Sequence, residues 1–276
     1  MSENAAPGID YEAEYNNRAR VPDHMTHIAG WQRDAAAYRE TAGGELDIAY
    51  GPEERHRLDL FHPSGGDRGG PVVLFIHGGY WQAFDKSSSS HLARGANGRG
   101  LTVAVPSYRL APAATLAEIV ADIEAAAGFV MRRTGRPLVA CGHSAGGHLS
   151  ACLMARSAAW ERPVRAAMPI SGLFDLPPLV STSVNRALGL TVEEAQRLSP
   201  LDWPPPTSGR LAAVVGGAES SEYLRQSRTL VEQWGAAGVA ARCHEVPDAN
   251  HFTVIAGLAD PDDPLVDMLA ELAEDA

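Results

Sequence analysis

The 276-residue sequence predicts an α/β fold with a mostly parallel central sheet, an antiparallel N-terminal hairpin, helices on both faces and a small cap or lid insertion. Three observations carry that expectation. Short, continuous apolar runs recur at 72–76, 101–105, 138–141, 166–170 and 211–215, as parallel strands covered on both faces require. Apolar positions at helical spacing lie between those runs. Ahead of them, residues 46–50 and 57–61 alternate apolar with polar side chains across a turn-prone Gly51-Pro52, as half-buried antiparallel strands do. Strand, helix and strand in succession imply right-handed crossovers within one sheet.

Along the chain, residues 11–40 come first, helix-prone and carrying His24, His27 and Trp31 outside the alternation. The hairpin and the first two continuous runs follow. Leu116, Ile119, Val120, Ile123 and Val130 then form one helical stripe before the run at 138–141, and helix-compatible residues 147–156 come directly after it. Residues 173–207 are rich in proline and hold a Thr191-x-x-Glu194 capping box that opens a short helix. Long connections in compact domains are commonly functional, so this segment is expected to be the cap or lid. Tyr223, Leu224, Leu230, Val231 and Trp234 mark a further helix stopped at Gly235 and Gly238, and 242–247 predicts a last strand. Residues 1–276 are expected to form a single domain.

Hydrophobic residues at 45% and charged residues at 21% support a buried core and exclude a disordered chain. A net charge of −11 without a basic stripe argues against nucleic acid or an anionic membrane as partner. Cys141, Cys152 and Cys243 are odd in number and lack C-x-x-C spacing, so neither a disulfide framework nor a zinc knuckle is expected. Reduced thiols fit a cytoplasmic setting. Residues 1–10 carry Glu3 and Asp10 with no leader pattern, and no apolar run of membrane-spanning length occurs, so a soluble cytoplasmic protein is expected.

The chemistry centres on Gly142-His143-Ser144-Ala145-Gly146, a G-x-S-x-G between an apolar run and a helix-compatible stretch. Strand before and helix after make it a nucleophile elbow, in which small neighbours let the serine hydroxyl project above the sheet and the next amide, that of Ala145, faces a substrate carbonyl. His77-Gly78-Gly79-Tyr80-Trp81 follows the run at 72–76, and its glycines let backbone amides approach a ligand. Gly78, Gly79 and Ala145 are the candidate oxyanion-hole donors.

A serine needs a base to take its proton and a carboxylate to orient that base. After Ser144 only His148, His244 and His251 remain. His148 falls in the nucleophile helix and His244 within the last strand, whereas His251 follows that strand and a loop, in the order serine, acid, histidine expected of a nucleophile elbow. His143 is the variable position of the pentapeptide. Glu219, just past the run at 211–215, is the candidate acid, and Asp248, Glu222 and Asp175 are its rivals. Asp248 looks like a turn former and Glu222 like an N-terminal helix charge. His24 and His27, two histidines with no cysteine nearby, are expected at the surface rather than on a metal.

These residues resemble the α/β-hydrolase fold and, within it, the arylformamidase (kynurenine formamidase) family. The motif at 77–81 is similar to that family's oxyanion signature, with Tyr80 where broader esterases carry a third glycine. The segment Ser171-Gly172-Leu173-Phe174-Asp175-Leu176 with Ser183, Asn185 and Leu198-Ser199-Pro200 resembles the family's segment after the sixth strand. The resemblance spans most of residues 45–255. It implies hydrolysis of an N-formyl aryl amide such as N-formylkynurenine, without metal or organic cofactor, although the family commonly presents Asp where Glu219 stands. The partner expected is a small acyl amide or ester, and a homodimer is left open. Tyr80 and Trp81, beside the oxyanion donors, are candidate substrate-binding residues. A carboxylesterase acting on short-chain acyl esters is the alternative, and a non-catalytic ligand-binding protein on the same fold is a second.

Overall fold

In the computed structural model, which describes residues 8–67 and 69–274, eight strands form one sheet. They are β1 (Gly44–Ala49), β2 (Arg57–Phe61), β3 (Val72–Ile76), β4 (Val103–Pro106), β5 (Leu138–His143), β6 (Ala166–Ile170), β7 (Arg210–Gly216) and β8 (Ala240–Val246). Their order across the sheet is β1-β2-β4-β3-β5-β6-β7-β8. β1 and β2 form the antiparallel hairpin, β2 pairs antiparallel with β4, and every later pairing is parallel. The sheet therefore has the mostly parallel topology and N-terminal hairpin that the sequence predicts. Of the residues considered above for a leader pattern, 1–7 lie outside the described residues.

Ten α-helices surround the described sheet: α1 (Tyr11–Tyr15), α2 (Asn17–Arg20), α3 (His24–Thr41), α4 (Ala93–Gly98), α5 (Leu116–Thr134), α6 (Ala145–Arg156), α7 (Asn185–Leu188), α8 (Val192–Arg197), α9 (Ser221–Ala236) and α10 (Pro264–Glu274). Successive strand side chains point to opposite faces, so one run feeds two cores. Leu74 and Ile76 of β3 pack with Leu116 and Ile119 of α5 and Leu149 of α6, whereas Val73 and Phe75 pack with Leu265 and Leu269 of α10. That two-sided burial explains the unbroken apolar runs.

Local chemistry sets the helix ends. A reciprocal capping box between Thr115 and Glu118 starts α5, and Gly135 at φ 70° ends it. The expected Thr191–Glu194 box starts α8. No helix among the described residues is long and apolar enough to cross a membrane. The loops leaving the carboxyl ends of β3, β5, β6, β7 and β8 all emerge at one end of the parallel sheet, the end where open α/β sheets bind ligands.

Candidate active site

Ser144 occupies the turn between β5 and α6 with φ 57° and ψ −117°, a backbone state that ordinary residues avoid. The chain tolerates it because the turn is over-determined. Ser144 N–H donates to the Ile170 carbonyl at 2.8 Å, and a Cβ on Gly146 would lie 2.0 Å from the Ile76 carbonyl oxygen. Only glycine lets α6 approach β3 this closely.

His251 stands in the loop after β8, and its ring bridges two side chains. Nδ1 lies 2.6 Å from Glu219 Oε2, and Nε2 lies 3.0 Å from Ser144 Oγ. A carboxylate can only accept here, so Nδ1 carries the proton and Nε2 is left to accept from the serine hydroxyl. Glu219 is itself held. Its Oε1 accepts from Ser171 Oγ at 2.5 Å and from Gly216 N–H at 2.8 Å, which leaves Oε2 aimed at the imidazole. Ser171, at the end of β6, also has a positive φ of 48°. All four side chains are buried or nearly so. The constellation can move a proton from a hydroxyl to an imidazole while a fixed negative charge stabilises the imidazolium.

Gly78 and Gly79 line the same cavity as Ser144. Gly79 sits at φ 104°, and a Cβ there would come 2.4 Å from the Ala83 carbonyl oxygen. Among the described residues no carbonyl or side chain accepts from the amides of Gly78, Gly79 or Ala145, so they are available to an incoming oxyanion. His77 braces the loop from behind. Its Nδ1 donates to the Gly78 carbonyl at 2.8 Å, its ring stacks on Tyr108 at 4.2 Å, and burial pushes its pKa down to about 4, so it stays neutral.

The cavity over Ser144 measures about 410 Å³. Trp31 of α3, Phe84 and Phe252 form an aromatic wall, Trp31 standing 5.8 Å from Phe252 and 6.3 Å from Phe84 between ring centroids. Tyr15, Asn16, Asn17 and Arg18 of the N-terminal segment and Ser183 and Val184 of the 173–207 segment line it as well. Glu12 ties the two segments together, accepting from Ser183 N and Oγ, both at 2.7 Å.

Compared with known proteins, the chain matches the family described as BD-FAE over residues 58–168. It is 29% identical to a kynurenine formamidase of Danio rerio over 89% of this chain and 87% of that one. An isoprenylcysteine alpha-carbonyl methylesterase of Arabidopsis thaliana is 28% identical over 79% of this chain and 58% of its own. The crystal structure of a provisionally named thioesterase from Silicibacter sp. tm1040 superposes with a TM-score of 0.88, at 36% identity over 95% of this chain and all of the other. Over most of its length the chain is similar to kynurenine formamidases, and it has the α/β-hydrolase fold. Esterase B from Lactobacillus rhamnosis, at 19% identity and a TM-score of 0.72, shares the fold.

The protein is therefore a hydrolase acting on an amide or ester bond. The rivals for the acid position have other partners. Glu222 accepts from the Tyr15 hydroxyl at 2.7 Å and pairs with Arg225 at 2.7 Å, Asp175 pairs with Arg225 at 2.8 Å, and Asp248 is an exposed turn residue at φ 56°. His148 is fully buried, with Nε2 against the Leu198 carbonyl at 2.9 Å, and His244 lies within β8.

Two expectations need correction. Trp81 does not line the cavity: it is fully buried and packs edge-on to His148 at 5.1 Å. Tyr80 and Trp81 both have positive φ, 50° and 59°, and this sharp turn sends the two neighbouring rings to different surroundings. Tyr80 does line the cavity, but its hydroxyl is engaged, donating to the Tyr15 carbonyl at 2.5 Å and lying 2.8 Å from the Tyr223 hydroxyl. His24 and His27 are not free surface residues, since both rings are partly buried against Phe252, at 5.7 and 6.2 Å.

Proposed function

We propose that this hydrolase cleaves the formyl–nitrogen bond of an N-formyl aryl amide, N-formylkynurenine-like, through a formyl-enzyme. Ser144 Oγ attacks the formyl carbon as its proton passes to His251 Nε2, and Glu219 stabilises the imidazolium. The amides of Gly78, Gly79 and Ala145 receive the oxyanion. Collapse returns the proton from Nε2 to the departing arylamine nitrogen and leaves a formyl ester on Ser144. Water then attacks that ester with Nε2 as base, formate leaves, and the serine recovers its proton. The steps call for no metal or organic cofactor.

The observation that carries this reading is the hydrogen-bonded chain Glu219–His251–Ser144 at the foot of a cavity walled by Trp31, Phe84 and Phe252. Flat aromatic walls favour an aryl group by stacking and burial. We take the described residues to form a single domain around one sheet, with 173–207 as its cap, and three free cysteines fit a cytoplasmic setting.

The test compares kcat/KM for N-formylkynurenine with that for p-nitrophenyl acetate, using Ser144→Ala as the blank. The expected result is a preference for the formamide that disappears in the variant. A preference for the ester would instead make the protein a short-chain carboxylesterase, the activity class named for its methylesterase relatives.

A further inference from the structure

Apart from its histidines, the cavity over Ser144 is lined by one residue that is charged at neutral pH, Arg18. Its remaining polar lining, such as Asn16, Asn17, Gln82, Ser88 and Ser183, is neutral, and no Asp, Glu or Lys lines it. Arg18 is exposed, and among the described residues no side chain or carbonyl accepts from it. The carboxylates close by in sequence are spent elsewhere. Glu12 is held by Ser183, and Glu14 accepts from Ser221 Oγ at 2.7 Å and from Glu222 N–H at 2.9 Å.

The backbone that carries Arg18 is fixed. Asn17, its neighbour, is buried and donates to the Tyr223 hydroxyl at 2.9 Å, and the Asn16 side chain caps α2 by accepting from Ala19 N–H at 3.2 Å. A guanidinium carried by an anchored helix offers a planar fork of donors to a planar anion.

We propose that Arg18 binds a carboxylate on the leaving-group side of the substrate, so that the enzyme selects aryl amides that carry a carboxylate over those that carry none and disfavours those whose only charge is an ammonium. The charge belongs on the leaving group because a formyl acyl side has no substituent to carry it. To this extent the inference rests on the formamidase reading. The disfavoured cation follows from the walls themselves, since a substrate ammonium would find no carboxylate on them.

Three N-formylanilines test this, each carrying one group on a ring methylene so that ring electronics barely change: a carboxylate, its carboxamide and an ammonium. Wild-type kcat/KM should fall in that order, with about tenfold between carboxylate and carboxamide, the scale of one charge-assisted hydrogen bond. In Arg18→Gln the carboxylate-to-carboxamide ratio should drop to within about twofold of one, and Arg18→Lys should keep part of it. Each ratio is read within one preparation, so a loss of folded protein does not move it. No charge order in the wild type, or one that persists in Arg18→Gln, overturns the assignment.

The same three groups on phenyl acetates separate the two readings. A charge order on esters with inert formanilides removes the formamidase activity and supports Arg18. Turnover of formanilides without a charge order removes Arg18 alone.

Discussion

His143 holds the backbone of His251, with its Nε2–H donating to the His251 carbonyl oxygen at 2.9 Å while the two rings lie 4.8 Å apart. The bond requires the proton on Nε2. Burial and the neighbouring His251 push the His143 pKa well below the usual histidine range, so the ring stays neutral with that proton in place. The variable residue of the G-x-S-x-G turn thereby positions the loop that carries the base.

Replacing His143 with Phe should leave that carbonyl without its donor and let the His251 loop shift. We expect kcat to fall about ten- to a hundredfold, the scale of one buried unsatisfied group, with KM little changed. Gln, which can present an N–H in a similar place, should recover much of the loss. Steady-state kinetics on the three proteins decides it: equal losses in Phe and Gln variants would mean that ring packing matters, not the hydrogen bond.

Glu219→Gln removes the charge that stabilises the imidazolium while leaving the side-chain shape, and kcat should drop by about 10³ to 10⁴ with an unchanged circular dichroism spectrum. Ser171→Ala is expected to cost much less, about tenfold or below, because Gly216 N–H still holds Oε1. Near-wild-type turnover in Glu219→Gln would reassign the acid.

Acid should destabilise the fold between pH 6.5 and 4. His77, His91 and His148 are held neutral with pKa values near 4 by burial, against about 6.5 in the unfolded chain. Each native pKa is depressed, so the unfolded state binds more protons in this window. Their contribution is fully present above about pH 6.5 and is lost as pH falls toward 4, at roughly 1.4 kcal/mol per pH unit for each histidine. Urea unfolding from pH 4.5 to 7.5 measures the slope. His148→Gln should lower it by about one histidine's share, and an unaltered slope would show that His148 is not buried neutral.

The catalytic candidates were legible because each combines a reactive side chain with a strand-end position. Ser144 lies between an apolar run and a helix, Glu219 just beyond β7, and His251 beyond β8. Supporting residues left weaker marks. Ser171 reads as any serine after a strand until Glu219 is placed beside it, and His143 occupies a position the motif leaves free. The failure of Trp81 has a local cause, since positive φ at two successive residues breaks the link between adjacency in sequence and a shared environment. Trp31 lay in a segment outside the strand–helix alternation, and no local pattern shows which distant loops that segment covers.

Trp31 yields the sharpest prediction about that cover. It meets Phe252, Phe84 and the edge of His143, at 5.8, 6.3 and 6.1 Å, but has no hydrogen bond to Ser144, His251 or Glu219 among the described residues. Its loss should weaken aryl binding while sparing the proton chain. Trp31→Ala is expected to raise KM for an N-formyl aryl amide about tenfold, since an aromatic contact and its buried area contribute on the order of 1–2 kcal/mol, with kcat changed less than about threefold. A short alkyl formamide, which has no ring to stack, should show little change in KM. Parallel kinetics on the two substrates separates the outcomes: an equal rise for both would mean that Trp31 shapes the cavity as a whole, and a fall in kcat alone would place its effect on the His251 loop through His143.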